Sequence, residues 1–202
     1  MTTSAPSKGE ATRQRILAEA AAIFNQRGYE GCSMQAIMEA TGLEKGGIYR
    51  HFENKEALAA EAFDYAWTQT RARRSRDLDH IPNPVDRLQQ HIANFLIPGS
   101  LPGGCPLLNT AVDSANGNPV LRQRVREALH GWQSFLGNLL REGIDNGTVR
   151  PNIDTYATAN HIIASLEGAM LIRRIEQNDN ALRQAVEHLR NYVEVQIRQP
   201  RM

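Results

Sequence analysis

The chain carries only two cysteines in 202 residues, Cys32 and Cys105, too few for a disulfide framework. It has no apolar run approaching the roughly 20 residues that span a bilayer. The opening stretch MTTSAPSKGE has no signal-peptide core, so a soluble cytoplasmic protein is expected, with no membrane partner. HExxH, CxxC and Walker A motifs are missing. The pairs Gly46-Gly47 and Gly103-Gly104 do not follow a strand, as a phosphate-binding fingerprint would require. The six histidines, His51, His80, His91, His130, His161 and His188, lack metal-ligand spacing. No cofactor, metal or catalytic constellation is therefore expected. An enzyme would need a site assembled from separate helices.

Charge of one sign is also scarce. The formal net charge is +1, and residues 1–57 hold seven Lys/Arg against seven Asp/Glu. A nucleic-acid binder with this balance must rely on where its cations sit. Strand-like alternation persists nowhere, so the fold class is all-α, with about nine helices.

What the chain does have is organised around Ser33 to Phe52. Met34, Ile37 and Met38 give a short apolar face, Thr41-Gly42 interrupts it, and Leu43, Ile48 and Phe52 resume it. Two helices this short do not stand alone. Packed against a neighbour as a helix-turn-helix, they leave the outer face of the second free for a major groove. That face carries Glu44, Lys45, Gly46, Gly47, Tyr49, Arg50 and His51. Each helical glycine costs roughly 1 kcal/mol relative to alanine. A close approach to another surface gives the missing Cβ atoms a use, and the neighbouring side chains suit phosphate oxygens. A solvated helix beside a loop is the plainer alternative.

Before this stretch, Ile16, Leu17, Ala20, Ile23 and Phe24 form one apolar stripe, ended by Gly28. Ser7-x-x-Glu10 fits a capping box, with Thr12 a competing helix start. From a start there, Thr12 and Arg13 reach a sugar-phosphate backbone or simply solvent. Cys32 suits a small core position. Asn54 caps a fourth helix that runs to about Asp77, with Lys55 aimed at phosphate. The run Arg71, Arg73, Arg74, Arg76 reads as a solvated face suited to the negative end of the helix dipole.

A fifth helix carries Val85, Leu88, Ile92, Phe95 and Leu96. In GSLPGGCPLL, Cys105 falls at an N-cap followed by Pro106, where the dipole favours thiolate; a small residue packed under a loop is the other possibility. A long helix from Val120 to Leu140 ends before Gly147. Two last helices show apolar spacings of three and four at Tyr156, Ala159, Ile163, Leu166, Met170 and at Leu182, Val186, Leu189, Val193.

The segment Thr12 to Leu58 resembles the DNA-binding domain of the tetracycline-repressor (TetR) family of bacterial transcriptional regulators. The shared features include Gly28-Tyr29, Ser33, Gly42-Leu43, Lys45-Gly46, Ile48-Tyr49, His51-Phe52 and Lys55-Glu56-x-Leu58. Glu44 and Gly47 depart from the family's usual residues, and they bear on the operator sequence. The resemblance implies a disordered tail at 1–8, a three-helix helix-turn-helix domain at 9–56, and a helical effector-binding and dimerisation domain at 57–202. It implies a homodimer joined through the two terminal helices and bound to a palindromic operator in double-stranded DNA.

Thr12, Ser33, Tyr49, His51 and Lys55 are expected at phosphates, and Lys45, Gly46, Gly47 and Arg50 near base edges. The protein would be a repressor released by a small-molecule effector or by modification of Cys105. The stretch Gly104-Cys105-x-x-x-Asn109 is similar to one in electrophile- or oxidant-responsive members. Trp67, Phe95, Asn109, Trp132 and Met170 join Cys105 as candidate effector residues. A ligand-independent DNA binder or activator is the alternative.

Overall fold

A computed structural model describes residues 7–99, 101–115 and 117–200. Among them are nine α-helices: α1 Lys8–Arg27, α2 Met34–Thr41, α3 Lys45–Tyr49, α4 Lys55–Arg74, α5 Pro84–Ala93, α6 Pro106–Ser114, α7 Pro119–Asp145, α8 Thr155–Glu176 and α9 Asn180–Tyr192. No strand occurs among the described residues; one isolated antiparallel bridge joins Val149 and Arg198. No described helix is long and apolar enough to cross a membrane.

The helix starts follow from short polar residues that satisfy otherwise unpaired N–H groups. Ser7 and Glu10 form the expected capping box, and the bonds from Ser7 hold the Glu10 carboxyl below its ordinary pKa. Helix α1 therefore begins at Lys8 and not at Thr12. The last two positions of the expected tail belong to its cap and first turn, while residues 1–6 lie outside the described residues. Asn54 accepts from the Ala57 N–H at 2.8 Å, Asn83 from Val85 and Asp86, and Asp154 from Tyr156 and Ala157. Pro84 and Pro106 occupy first turns, where a missing N–H costs nothing. Helix α4 stops at Arg74, short of Asp77, which takes a positive φ of 62°.

The described residues divide into two compact units, those of 7–69 with those of 101–126, and those of 70–99 with those of 127–200. Residues 57–69 and the described ones of 101–126, assigned to the effector domain from sequence, cluster with the reading head. In the first unit Ile16, Leu17, Ala20 and Ala21 of α1, Ile37 of α2, Ile48 of α3, Phe52, and Leu58, Ala62 and Ala66 of α4 form one buried cluster with Cys32. Ile16, Ile37, Ile48 and Leu58 are 0–1% exposed, and each such side chain contributes on the order of 1.5–3 kcal/mol through burial. The two short helices are held by this cluster and not by their own propensity.

The second unit packs α5, α8 and α9 with the end of α4 and most of α7. The stripes expected to meet a second copy are instead consumed here, except for Tyr156, which is 65% exposed. Ile163, Leu166 and Met170 of α8, and Leu182, Val186, Leu189 and Val193, are all buried within a single chain. Beside them on α8 runs a different stripe that stays exposed: Ala157, His161, Ala164, Gly168, Leu171, Ile172 and Ile175.

Candidate nucleic-acid interface

The turn between α2 and α3 is built by three residues. Ser33 caps α2, its Oγ accepting from the Ala36 N–H at 3.1 Å. Thr41 is buried and donates to the Ile37 carbonyl at 2.7 Å. Gly42 then takes a left-handed conformation with φ 64°, which a residue with a Cβ adopts at a cost. The chain leaves this turn with Leu43 half-buried, and Ile48 and Phe52 reach back to the core.

The opposite face of α3 is open. Lys45, Gly46, Tyr49 and Arg50 are exposed, and Gly47 and His51 are half-buried. A Cβ at Gly46 would meet no atom within 4 Å, and one at Gly47 would make an ordinary contact with Leu43 at 3.6 Å. Neither glycine is required by the packing of this chain. The Lys45 ammonium lies 5.7 Å from the Tyr49 ring centroid, and the Lys55 ammonium 4.1 Å from that of Tyr29. Burial, followed by the charges of Glu56 and Glu30, raises the Tyr29 pKa.

Ser33 is exposed at the start of α2, and Lys55 is the first residue of α4. Thr12 sits in the second turn of α1, with its hydroxyl donating to the Lys8 carbonyl at 2.9 Å. Its neighbour Arg13 pairs with Glu61 and stacks 4.7 Å over Phe52, so it braces the head from inside. Burial raises the Cys32 thiol pKa, in keeping with a core role.

A polar clasp fastens α6 to the C-terminal end of α1. Asn109 donates to the Asn25 carbonyl and side chain and to the Gly103 carbonyl, at 3.0, 2.9 and 2.8 Å. Asn25 donates to the carbonyls of Pro102 and Gly104. Asp113 accepts from the Tyr29 N–H at 2.6 Å. Cys105 is the N-cap of α6 and is 3% exposed. Next to the clasp is a cavity of about 20 Å³ lined by Phe24, Tyr29, Phe63, Asn109 and Asp113 among others, with room for about one water.

Of the remaining effector candidates, the structure brings together Phe95 and Trp132, stacked with ring centroids 5.7 Å apart. Trp67 and Met170 are buried elsewhere, in the first and second unit respectively. The sequence missed what lies on the stacked pair. Arg74, assigned to a solvated face, is 2% exposed, with its guanidinium 4.1 Å from the Phe95 ring centroid and 4.6 Å from that of Trp132. It pairs with Glu167 of α8 at 3.1 Å. Its place was nonetheless legible: Arg74 continues the stripe Leu58, Ala62, Ala66, Thr70 at four-residue spacing, all buried.

His91 completes the cluster, accepting at Nε2 from Trp132 Nε1 at 3.0 Å. Complete burial, and then the Arg74 charge, push its pKa down to about 3. An unfolded histidine titrates near 6.5, so between about pH 6.5 and 3 the unfolded chain binds the extra proton. Stability then falls as the pH falls through that window. At pH 5 the loss from this one group is about 2 kcal/mol. Urea denaturation of a His91→Gln variant at pH 7 and 5 should show a smaller pH-dependent loss than the parent.

A corner of two short helices held from behind, with an outer face of glycines and cations, defines a helix-turn-helix DNA-binding protein. The comparisons carry this further. Residues 16–62 match the model for bacterial regulatory proteins of the tetR family, and residues 84–189 the tetracyclin repressor-like C-terminal domain. The chain belongs to the TetR family and is a DNA-binding transcriptional regulator, not an enzyme. It is 30% identical to the HTH-type transcriptional repressor DhaR of Mycobacterium sp. (strain GP1), over 85% of this chain and 87% of that protein. Its fold is similar to a TetR transcriptional regulator from Chloroflexus aurantiacus J-10-FL, with TM-score 0.91 and 44% identity, covering 96% of this chain and all of the other. A TetR-family regulator from Cytophaga hutchinsonii follows at TM-score 0.89 and 34% identity, covering 98% of this chain and all of the other.

Proposed function

We propose that this chain is a cytoplasmic repressor that binds a palindromic operator as a homodimer and leaves it when an effector acts on the helical domain. Repression is favoured by the likeness to DhaR, itself a repressor. The observation that carries the operator reading is Gly46, a glycine in a helix with nothing in its own chain near its missing Cβ. Lys45, Gly46, Gly47 and Arg50 lie at base edges, and Ser33, Tyr49, His51, Lys55 and Thr12 along the phosphates. Because one such head reads only a few base pairs, two copies set about 34–36 Å apart read successive major grooves.

The dimer forms on the exposed stripe of α8. Ala157, Ala164 and Gly168 let a partner helix approach closely, and Leu171, Ile172 and Ile175, 47–69% exposed in the single chain, supply the apolar area. A Cβ at Gly168 would also meet nothing within 4 Å.

Selection of bound DNA from a random pool tests the operator reading. It should enrich one inverted repeat, and the absence of any repeat would overturn the proposal. On that repeat, Gly46→Ala separates two effects. It should raise stability by about 0.5–1 kcal/mol while weakening operator binding roughly tenfold, or about 1.4 kcal/mol.

Release requires an effector that favours the non-binding conformation. Helix α4 is a continuous route, since it begins in the head at Lys55 and ends in the second unit at Arg74. Cys105, at the N-terminus of α6 beside the Asn25–Asn109 clasp, is the candidate for covalent modification. The selected complexes, challenged with quinones, aldehydes and hypochlorite, should resist release in a Cys105→Ser variant.

A further inference from the structure

The second unit contains a buried ionic centre that its packing alone does not explain. Among its described residues, Arg74, Glu167 and His91 are the charged or titratable ones counted as buried, and all three meet around the stacked rings of Phe95 and Trp132. A buried ion pair gains little over a hydrophobic pair of similar volume, so stability does not account for its presence.

We propose that Arg74 and His91 read the carboxylate of a planar aromatic acid, which replaces Glu167 as the partner of Arg74. This rests on the reading of the chain as an effector-controlled regulator and names the effector's class. His91 supplies the second donor. Its Nε2 accepts from Trp132, so the neutral ring carries its proton on Nδ1. That atom is buried and has no well-aligned hydrogen-bond partner, although the nearby Arg74 carbonyl favours a proton on the ring. A buried N–H beside a guanidinium calls for an anion.

Glu167 provides that anion from α8. Both side chains are buried, Arg74 the more deeply, at 2% exposed against 11% for Glu167, so of the two ions the carboxylate is the one that another anion would displace. Exchange of one carboxylate for another keeps the buried charge balanced. The flat faces of Phe95 and Trp132, with Phe135 5.2 Å from the His91 ring, select a planar body over a flexible one. The acid would pull Arg74 away from α8. Arg74 is the last residue of α4, so the change is made on the helix that starts at the reading head.

Calorimetric titration of the full chain with benzoate, hexanoate and benzamide tests this without DNA. Benzoate should bind, hexanoate at least tenfold more weakly, and benzamide not at all. Glu167→Gln removes the competing charge but keeps the shape, so benzoate should bind it at least tenfold more tightly than the parent. The double variant Arg74→Met/Glu167→Leu, which leaves no lone buried charge, should not bind it. Silence toward benzoate in both parent and Glu167→Gln would overturn the proposal. So would equal affinity in the two, or benzamide or hexanoate binding as well as benzoate. Operator binding by the acid-free protein is measured separately. A chain that holds its operator yet ignores benzoate refutes the acid site alone, whereas one that holds no operator refutes the reading on which it rests.

Discussion

An Ala164→Arg variant should sediment as a folded monomer and bind the selected operator on the order of a hundredfold more weakly than the parent, because linking two binding heads is worth about 10²–10⁴ in avidity. Ala164 is exposed in the single chain, and surface substitutions of this kind change stability by only about ±0.5 kcal/mol. Any loss of affinity with an intact circular dichroism spectrum therefore comes from assembly. In a dimer closed through α8 the two-fold axis brings the stripe of one copy onto the same stripe of the other. The arginine would then face its own symmetry mate across a contact lined by Gly168 and Ala157, with two like charges desolvated together. The outward face of α9, with Arg183, Gln184, Glu187 and His188 exposed, offers no comparable apolar area. A variant that remained dimeric would remove α8 from the interface.

That stripe shows where sequence periodicity succeeds and where it fails. The spacing of three and four correctly marked α8 and α9 as helices with apolar faces, but it does not say what covers a face. Ile163, Leu166 and Met170 repeat as a dimer seam would, and the chain uses them for its own core. The residues left for a partner start small, at Ala157, Ala164 and Gly168, are interrupted by His161, and turn to large apolar side chains only at Leu171, Ile172 and Ile175, so they form a weaker pattern.

The reading head was far more legible. Its turn chemistry at Ser33, Thr41 and Gly42 is local, and Ile48 and Phe52 had only one side on which to bury. The capping residues Ser7, Asn54 and Cys105 were identifiable for the same reason, since a cap is decided within one turn. Arg74 was hidden by its company. Arg71 and Arg76 are exposed, and a run of arginines looks uniform until the four-residue stripe along α4 singles one out. Its partner Glu167 lies 93 residues away, and no local pattern joins the two.

Replacing Arg74 by Met alone should cost about 3–5 kcal/mol, measured by urea denaturation at pH 7, because it strands the Glu167 carboxylate among apolar groups. Adding Glu167→Leu removes the stranded charge. The double variant should return to the parent's stability or exceed it, as buried ion pairs replaced by hydrophobic residues of similar volume often do, by about 1–4 kcal/mol. A double variant that folds at least as well as the parent would show that the pair is not retained for stability. Such a protein, if it still binds its operator but no longer leaves it when an aromatic acid is added, assigns the pair to control.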